Sequence, residues 1–232
     1  MTPDNNTERI NSLARWAIIG RLAASLFHEI NNPMQTIQGA TGLAMESLGQ
    51  LNSQATSQNL DTYLNLTLQE SNRIMQLIAR ARRVYGPEND QPELFDLNML
   101  LQEMHILTRE EMHRKKIALR LELDPSLPPI YAQFSELSLA FLCPLLEISD
   151  AIEMVGGGNL LLSSYMEDAC ICMKLSTQTL QKPPDHGFQF IVCREVLAEY
   201  GGTVEKVEEN GRLSIILILP RHSVLHHTQE SS

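Results

Sequence analysis

The sequence predicts an α+β fold: an N-terminal antiparallel helical hairpin that pairs into a dimeric four-helix bundle, followed by a two-layer α/β sandwich. Three observations carry this expectation. Apolar residues recur at heptad spacing through two long stretches before residue 86. The segment GPENDQP at 86–92 breaks that pattern with Gly, Pro and acids. Beyond it, helix-period and strand-period runs alternate, the mark of a sheet layered with helices.

The first helix is expected over residues 9 to about 52, with a seam at Ile19, Ala23, Leu26, Ile30, Pro33, Ile37, Ala40 and Ala44. At ~1.5 Å per residue it would be about 65 Å long. The polar stretch LNSQATSQN reads as a turn. A second helix, about 59–85, has its seam at Leu60, Leu64, Thr67, Ser71, Ile74, Ile78, Ala81 and Tyr85. One hairpin cannot cover both sides of such seams, so a homodimer is expected to supply the other half of the bundle. Past the break, helices are expected near 96–113, 133–154 and 188–200. Strands are expected at 117–123, 159–165 and 169–175, with a closing hairpin around Asn210-Gly211. Gly156–Gly158 and Gly201-Gly202 end two of these helices. This divides the chain into a hairpin domain at 9–86, a sandwich domain at 93–220 and a polar tail at 221–232.

Bulk composition narrows the function classes. The 232 residues carry a net charge of −10, which disfavours nucleic acid and anionic membrane as partners. The longest apolar run, LSIILILP, is far short of the ~20 residues a membrane span needs. The polar start MTPDNNTERIN lacks the basic-then-apolar signature of a secretory signal, so a cytoplasmic location is expected. Cys143, Cys170, Cys172 and Cys193 lie in apolar runs and lack the second pair that a zinc site needs, so no metal is expected. Met75, Met99, Met104 and Met154 read as core filler. The run REEMHRKK at 109–116 reads as a solvated helix end.

The chemistry concentrates in HEINNP, residues 28–33. His28 sits two residues from both Leu26 and Ile30, about 180° from the seam, so its ring should face solvent. Asn32 is one turn on, on the same face, and Glu29 is adjacent. An exposed imidazole is a nucleophile near neutral pH, able to take a phosphoryl group on one ring nitrogen. The residues alone leave two readings open, a reactive histidine and an ordinary surface one. Pro33 lies inside the seam, so it should bend the helix without ending it.

The stretch RLAASLFHEINNPMQTIQGA, with the arginine-bearing NRIMQLIARARRVYG on the second helix, resembles the phospho-acceptor hairpin of two-component histidine kinases. The resemblance implies that His28 is the phosphorylated residue. It makes Glu29 the acid that orients or deprotonates it, and Asn32 the residue that positions water for dephosphorylation. FDLNMLLQEM, LLEISDAIEM and EYGGTVEKVEENGRLSIILILP follow the layout of the family's ATPase domain. The nucleotide motifs are nevertheless degenerate. Asp150 stands where a Mg²⁺-holding Asn belongs, and Leu146 occupies another Asn position. No glycine occurs between 159 and 186. Gly187 and Gln189 fall where a second glycine box should be, with Phe188 and Phe190 adding bulk.

The chain is therefore similar to bacterial histidine phosphotransferases with a pseudo-ATPase domain. That resemblance implies a relay of phosphoryl groups between response-regulator receiver aspartates through His28, fed by an upstream hybrid histidine kinase. Little or no ATP of its own would be bound, and the Mg²⁺ would sit on the receiver. Two alternatives fit the same residues: an ATP-dependent sensor-type histidine kinase (or receiver phosphatase) with an unusual nucleotide site, and a non-catalytic module that binds a response regulator.

Overall fold

A computed structural model describes residues 5–49, 54–86, 91–180, 188–209 and 211–221. Helices α1 (Asn5–Gly49) and α2 (Gln54–Val84) form the hairpin. There follow β1 (Glu93–Phe95), α3 (Leu97–Arg114), β2 (Ile117–Leu123), β3 (Ile130–Ala132), α4 (Phe134–Met154), β4 (Gly158–Glu167), β5 (Cys170–Thr177), α5 (Phe188–Glu199), β6 (Thr203–Glu209) and β7 (Arg212–Pro220). The fold class is as the sequence predicts, a helical hairpin followed by a mixed α/β sheet domain. The tail from residue 222 on, with its three histidines, and Gly187 lie outside the described residues.

Helix α1 runs unbroken through Pro33 for another sixteen residues. Its covered face differs from the expected seam in the first half, where Ile18, Leu22, Ser25 and Glu29 are buried, one position earlier than predicted. The reason is tertiary. That half of α1 packs on α3, α4 and α5 as well as on α2, so its buried stripe turns toward the second half of the chain. Below Pro33 the expected Ala40 and Ala44 are the buried positions. On α2, Leu77, Ala81 and Val84 are buried, while the predicted seam residues Leu64 and Ile78 are exposed. Much of the predicted turn is helix, since α2 already begins at Gln54.

Beyond the hairpin, Asp96 caps α3 by accepting the backbone N–H of Asn98 at 2.8 Å. Leu97, Leu100, Leu101, Met104, Leu107 and Met112 then form its core stripe. Helix α4 is buried nearly all round from Phe134 to Ser149, as suits the central helix of the layer. It also holds a proline, Pro144, without ending. Its C-terminus is a Schellman closure: Gly156 N–H donates to the Glu153 carbonyl at 2.9 Å and Gly157 N–H to Ile152 at 3.0 Å. Gly157 has φ +104°, and a Cβ there would lie 2.6 Å from the Lys116 carbonyl oxygen, so glycine is required. The same closure at Gly201 and Gly202 ends α5.

The five-stranded sheet has the order β2-β4-β5-β7-β6, with β2 and β4 parallel and the other pairs antiparallel. The parallel pair needs a crossover, which β3 and α4 supply. Leu162, Leu175 and Ile215 lie in one cross-strand row of the core face, while Ser163, Lys174 and Glu205 belong to the polar face behind. Strands β1 and β3 pair separately as a two-stranded ribbon that the sequence pattern did not disclose. Hydrophobic burial runs continuously from the sheet through α4 and α3 to Ile18, Leu22, Ala81 and Val84 of the hairpin. The hairpin's upper end and the sandwich therefore share one core. All four cysteines are free thiols, Cys143, Cys172 and Cys193 buried and Cys170 half-buried. Met75 and Met154, by contrast, are exposed rather than core filler.

Candidate functional site

Because α1 turns its Leu22–Glu29 stripe toward the second half of the chain, the residues flanking that stripe line a cleft. His28 is exposed there, as the spacing predicts. The cleft, ≈ 380 Å³, is lined by Arg21, Ala24, Ser25 and His28 of α1 and by Glu110, Glu111 and Arg114 of α3. One wall thus comes from the segment 109–116, which the sequence presents as a solvated helix end. The structure corrects that expectation: Glu111, Met112 and Lys115 are buried. Asn32 is exposed one turn below His28.

Glu29 points elsewhere. Its carboxylate is 4 % exposed, 3.5 Å from the Arg109 guanidinium, and neither oxygen has a hydrogen-bond partner that meets strict geometry. Burial pushes its pKa above the ordinary 4.5 and Glu110 adds to this; the opposing charges of Arg109 and Arg73 do not cancel it. The Tyr85 hydroxyl, buried and unpartnered, is pushed up by desolvation and by the Glu29 charge. A carboxyl whose pKa is raised on folding stabilises the fold only while protonated, below its unfolded value. That contribution is lost as pH rises through the folded value. Glu29→Gln is therefore expected to unfold like wild type below about pH 4, and to be more stable at about pH 8 by on the order of 1 kcal/mol. Thermal melts of both proteins across that range check it, an unchanged gap being the contrary result.

Above His28, one heptad toward the N-terminus, Arg21 forms the densest polar cluster of the described residues. Its Nη1 donates to Asp150 Oδ2 at 2.7 Å and its Nη2 to Asp150 Oδ1 at 2.5 Å. Nε and Nη2 also donate to Glu111 Oε1, at 3.2 and 3.1 Å. Lys115, its side chain 1 % exposed, bonds Ser149 Oγ at 3.0 Å, pairs with Asp150, and lies 3.4 Å from Glu153. Arg114 closes the group on Glu111 Oε2 at 2.6 Å. Burial alone would raise the carboxyl pKa values of Asp150 and Glu111. For Asp150 the hydrogen bonds from Arg21 and Lys115, and for Glu111 those from Arg114 and Arg21, outweigh it and hold both below the usual range.

Asp150, the position at which the family resemblance implies a metal-holding Asn, is thus already neutralised by two cationic side chains. Leu146 is fully buried in the core. Phe190 is also buried there, beneath Lys206 at 4.3 Å, so its bulk belongs to packing, not to a nucleotide cleft. Gln189 is half-buried in the first turn of α5. Sequence reasoning singled out His28, Glu29, Asn32 and Asp150 but not Arg21, Glu111 or Lys115. Only Arg21 offers a signal, a charge with no opposite charge three or four residues away on its helix; Glu111 and Lys115 are at helical spacing and look like an ordinary pair.

Comparison with known proteins places this geometry. The His Kinase A (phospho-acceptor) domain family matches residues 18–84. Sporulation kinase E of Bacillus subtilis (strain 168) is 26% identical over 154 residues, 66% of this chain and 19% of that protein. The signal transduction histidine-protein kinase AtoS of Escherichia coli (strain K12) is 28% identical over 157 residues, 67% of this chain and 25% of its own. The sensory histidine kinase/phosphatase NtrB of Rhizobium meliloti (strain 1021) is 28% identical over 144 residues, 62% of this chain and 35% of its own. The chain spans between about a fifth and a third of the length of these relatives. In fold it is similar to full-length ShkA in complex with AMPPNP, with a TM-score of 0.50 at 18% identity over 87% of this chain and 45% of that one. His28 lies on the hairpin matched by the His Kinase A (phospho-acceptor) domain family, and over about two thirds of its length the chain is similar to two-component histidine kinases.

Proposed function

We propose that this chain is a histidine phosphotransfer protein of two-component signalling, passing a phosphoryl group between response-regulator receivers through His28. The observation that carries this reading is the pairing of an exposed His28 with an Asp150 already committed to Arg21 and Lys115. The acceptor is open to a partner, whereas the metal-holding position of a kinase, though half-exposed, is engaged by two cations of the protein itself. In the forward step a ring nitrogen of His28 attacks the phosphorus of a receiver aspartyl phosphate. The P–N bond forms as the P–O bond to the aspartate breaks, and the carboxylate leaves. The step reverses onto the aspartate of the next receiver. Such transfer needs positioning and charge neutralisation more than covalent work by the protein, so Mg²⁺ held by the receiver suffices.

Asn32, on the same exposed face, is the residue proposed to position water where phosphate is lost. Glu29 can orient or deprotonate His28 only by leaving Arg109. Exposed Phe27, Met34 and Leu43 of α1, with Leu64, Leu68, Met75 and Ile78 of α2, leave the apolar strip that a second hairpin would cover. This supports a homodimer as the working form, and a cytoplasmic location is part of the same proposal. No helix of the described residues is long and apolar enough to cross a membrane.

Two parallel labelling reactions test the reading. Incubated with a ³²P-phosphorylated receiver, the protein should gain acid-labile, base-stable label; with labelled ATP and Mg²⁺ alone it should gain none. Label from ATP without a receiver would make it a kinase. A receiver that binds but never transfers would make it a binding module.

A further inference from the structure

The family resemblance assigns Asp150 to metal, yet its two oxygens are the acceptors of a guanidinium fork from the phosphotransfer helix. We propose that Arg21, Asp150 and Glu111 form an ionic latch that seats the α/β half on the hairpin, and that the seated state withholds Glu29 from His28. The second clause rests on the phosphotransfer reading; the first rests on geometry alone.

The geometry is specific to Arg. A planar guanidinium meets the Asp150 carboxylate through two parallel N–H bonds at 2.7 and 2.5 Å and keeps further donors for Glu111. Lysine could not present that fork. The latch ties three helices, α1, α3 and α4, through residues 90 and 129 positions apart from Arg21. Lys115 is locked behind it, buried and held by Ser149, so the acids are balanced from both sides. The load that opposes the latch is on the same helix. Eight residues on, about 12 Å along the axis, Glu29 is pressed into the interface beside Arg109, with Tyr85 unpartnered nearby. Seating therefore gains the fork and pays the desolvation of a carboxylate. When the latch opens, that carboxylate returns to solvent next to the ring it is assigned to serve.

Hydrogen exchange of backbone amides in residues 109–115 and 18–25, with small-angle scattering for overall size, tests the latch in the full chain. Arg21→Ala and Asp150→Asn should each lower protection in both segments by roughly tenfold, equivalent to ~1.4 kcal/mol, and enlarge the scattering radius. Arg21→Lys should show a partial loss. In Arg21→Ala/Asp150→Asn the combined loss should be clearly less than the product of the two, because both remove one interaction. Unchanged protection in both single variants, or losses that multiply, overturns the latch. So does loosening of wild type by Mg²⁺ that Asp150→Asn abolishes, since Asp150 would then be a metal ligand. Labelling from a phosphorylated receiver should be faster in Arg21→Ala; an unchanged rate with loosened segments overturns the withholding of Glu29. Absence of label in every protein would defeat the phosphotransfer reading and leave the exchange result to decide the latch.

Discussion

His28→Ala leaves the fold intact and reduces phosphoryl uptake from a phosphorylated receiver to below about a thousandth of wild type. The side chain is exposed, so its removal opens no cavity and costs little stability. Alanine has no nitrogen to form the P–N bond, and the described residues hold no second imidazole in the cleft to replace it. His28→Gln sharpens the result. It retains polarity and approximate size, so a receiver should bind it as it binds wild type while transfer stays lost. Circular dichroism and receiver binding are measured beside the label. Retained transfer in either variant would move the acceptor elsewhere, and lost binding in both would make His28 a contact residue.

Phe141→Ala should be the most damaging single truncation in the α/β half. Phe141 is wholly buried in α4, inside a core that runs from the sheet to the hairpin. Emptying such a site costs about 3–5 kcal/mol, the lost transfer energy plus the cavity that neighbours fail to fill. Against a typical total of about 5–15 kcal/mol, that is a large share. A drop in Tm of roughly 10 °C is expected for a chain of this size. Because Leu22 and Val84 belong to the same core, the hairpin's upper end should melt in the same transition. Differential scanning calorimetry checks both points; a second, unmoved transition from the hairpin would show that its two-helix packing is self-sufficient.

Local pattern made much of this molecule readable. Strand β2 lies where alternation in IALRLEL places it, and the Gly pairs that end α4 and α5 form the closures their positions imply. The exposure of His28 follows from its place opposite the expected seam. In the observed register, one residue earlier, it lies only about 80° from the stripe's centre and so flanks it, which is why it lines the cleft. What was not legible is what only tertiary contact decides. The upper stripe of α1 is shifted by one residue because α3, α4 and α5 cover it, and these lie at least 48 residues away in sequence. Strands of three residues, such as β1 and β3, are too short to show alternation. The charges at 21, 111, 115 and 150 look like ordinary solvated residues one by one. Their meeting, with Glu111 and Lys115 buried and Arg21 and Asp150 only partly so, exists only once three helices have converged.

The continuity of the core has a practical consequence for dissecting the protein. A fragment ending near residue 86 keeps His28 and both hairpin helices, yet it strips the cover from Ile18, Leu22, Ala81 and Val84 at one end. It also releases Arg21 from both of its carboxylate partners and Glu29 from Arg109. Such a fragment is a differently charged, stickier object than the hairpin of the intact chain. Its reactivity at His28 would report on an unseated helix, not on the cleft.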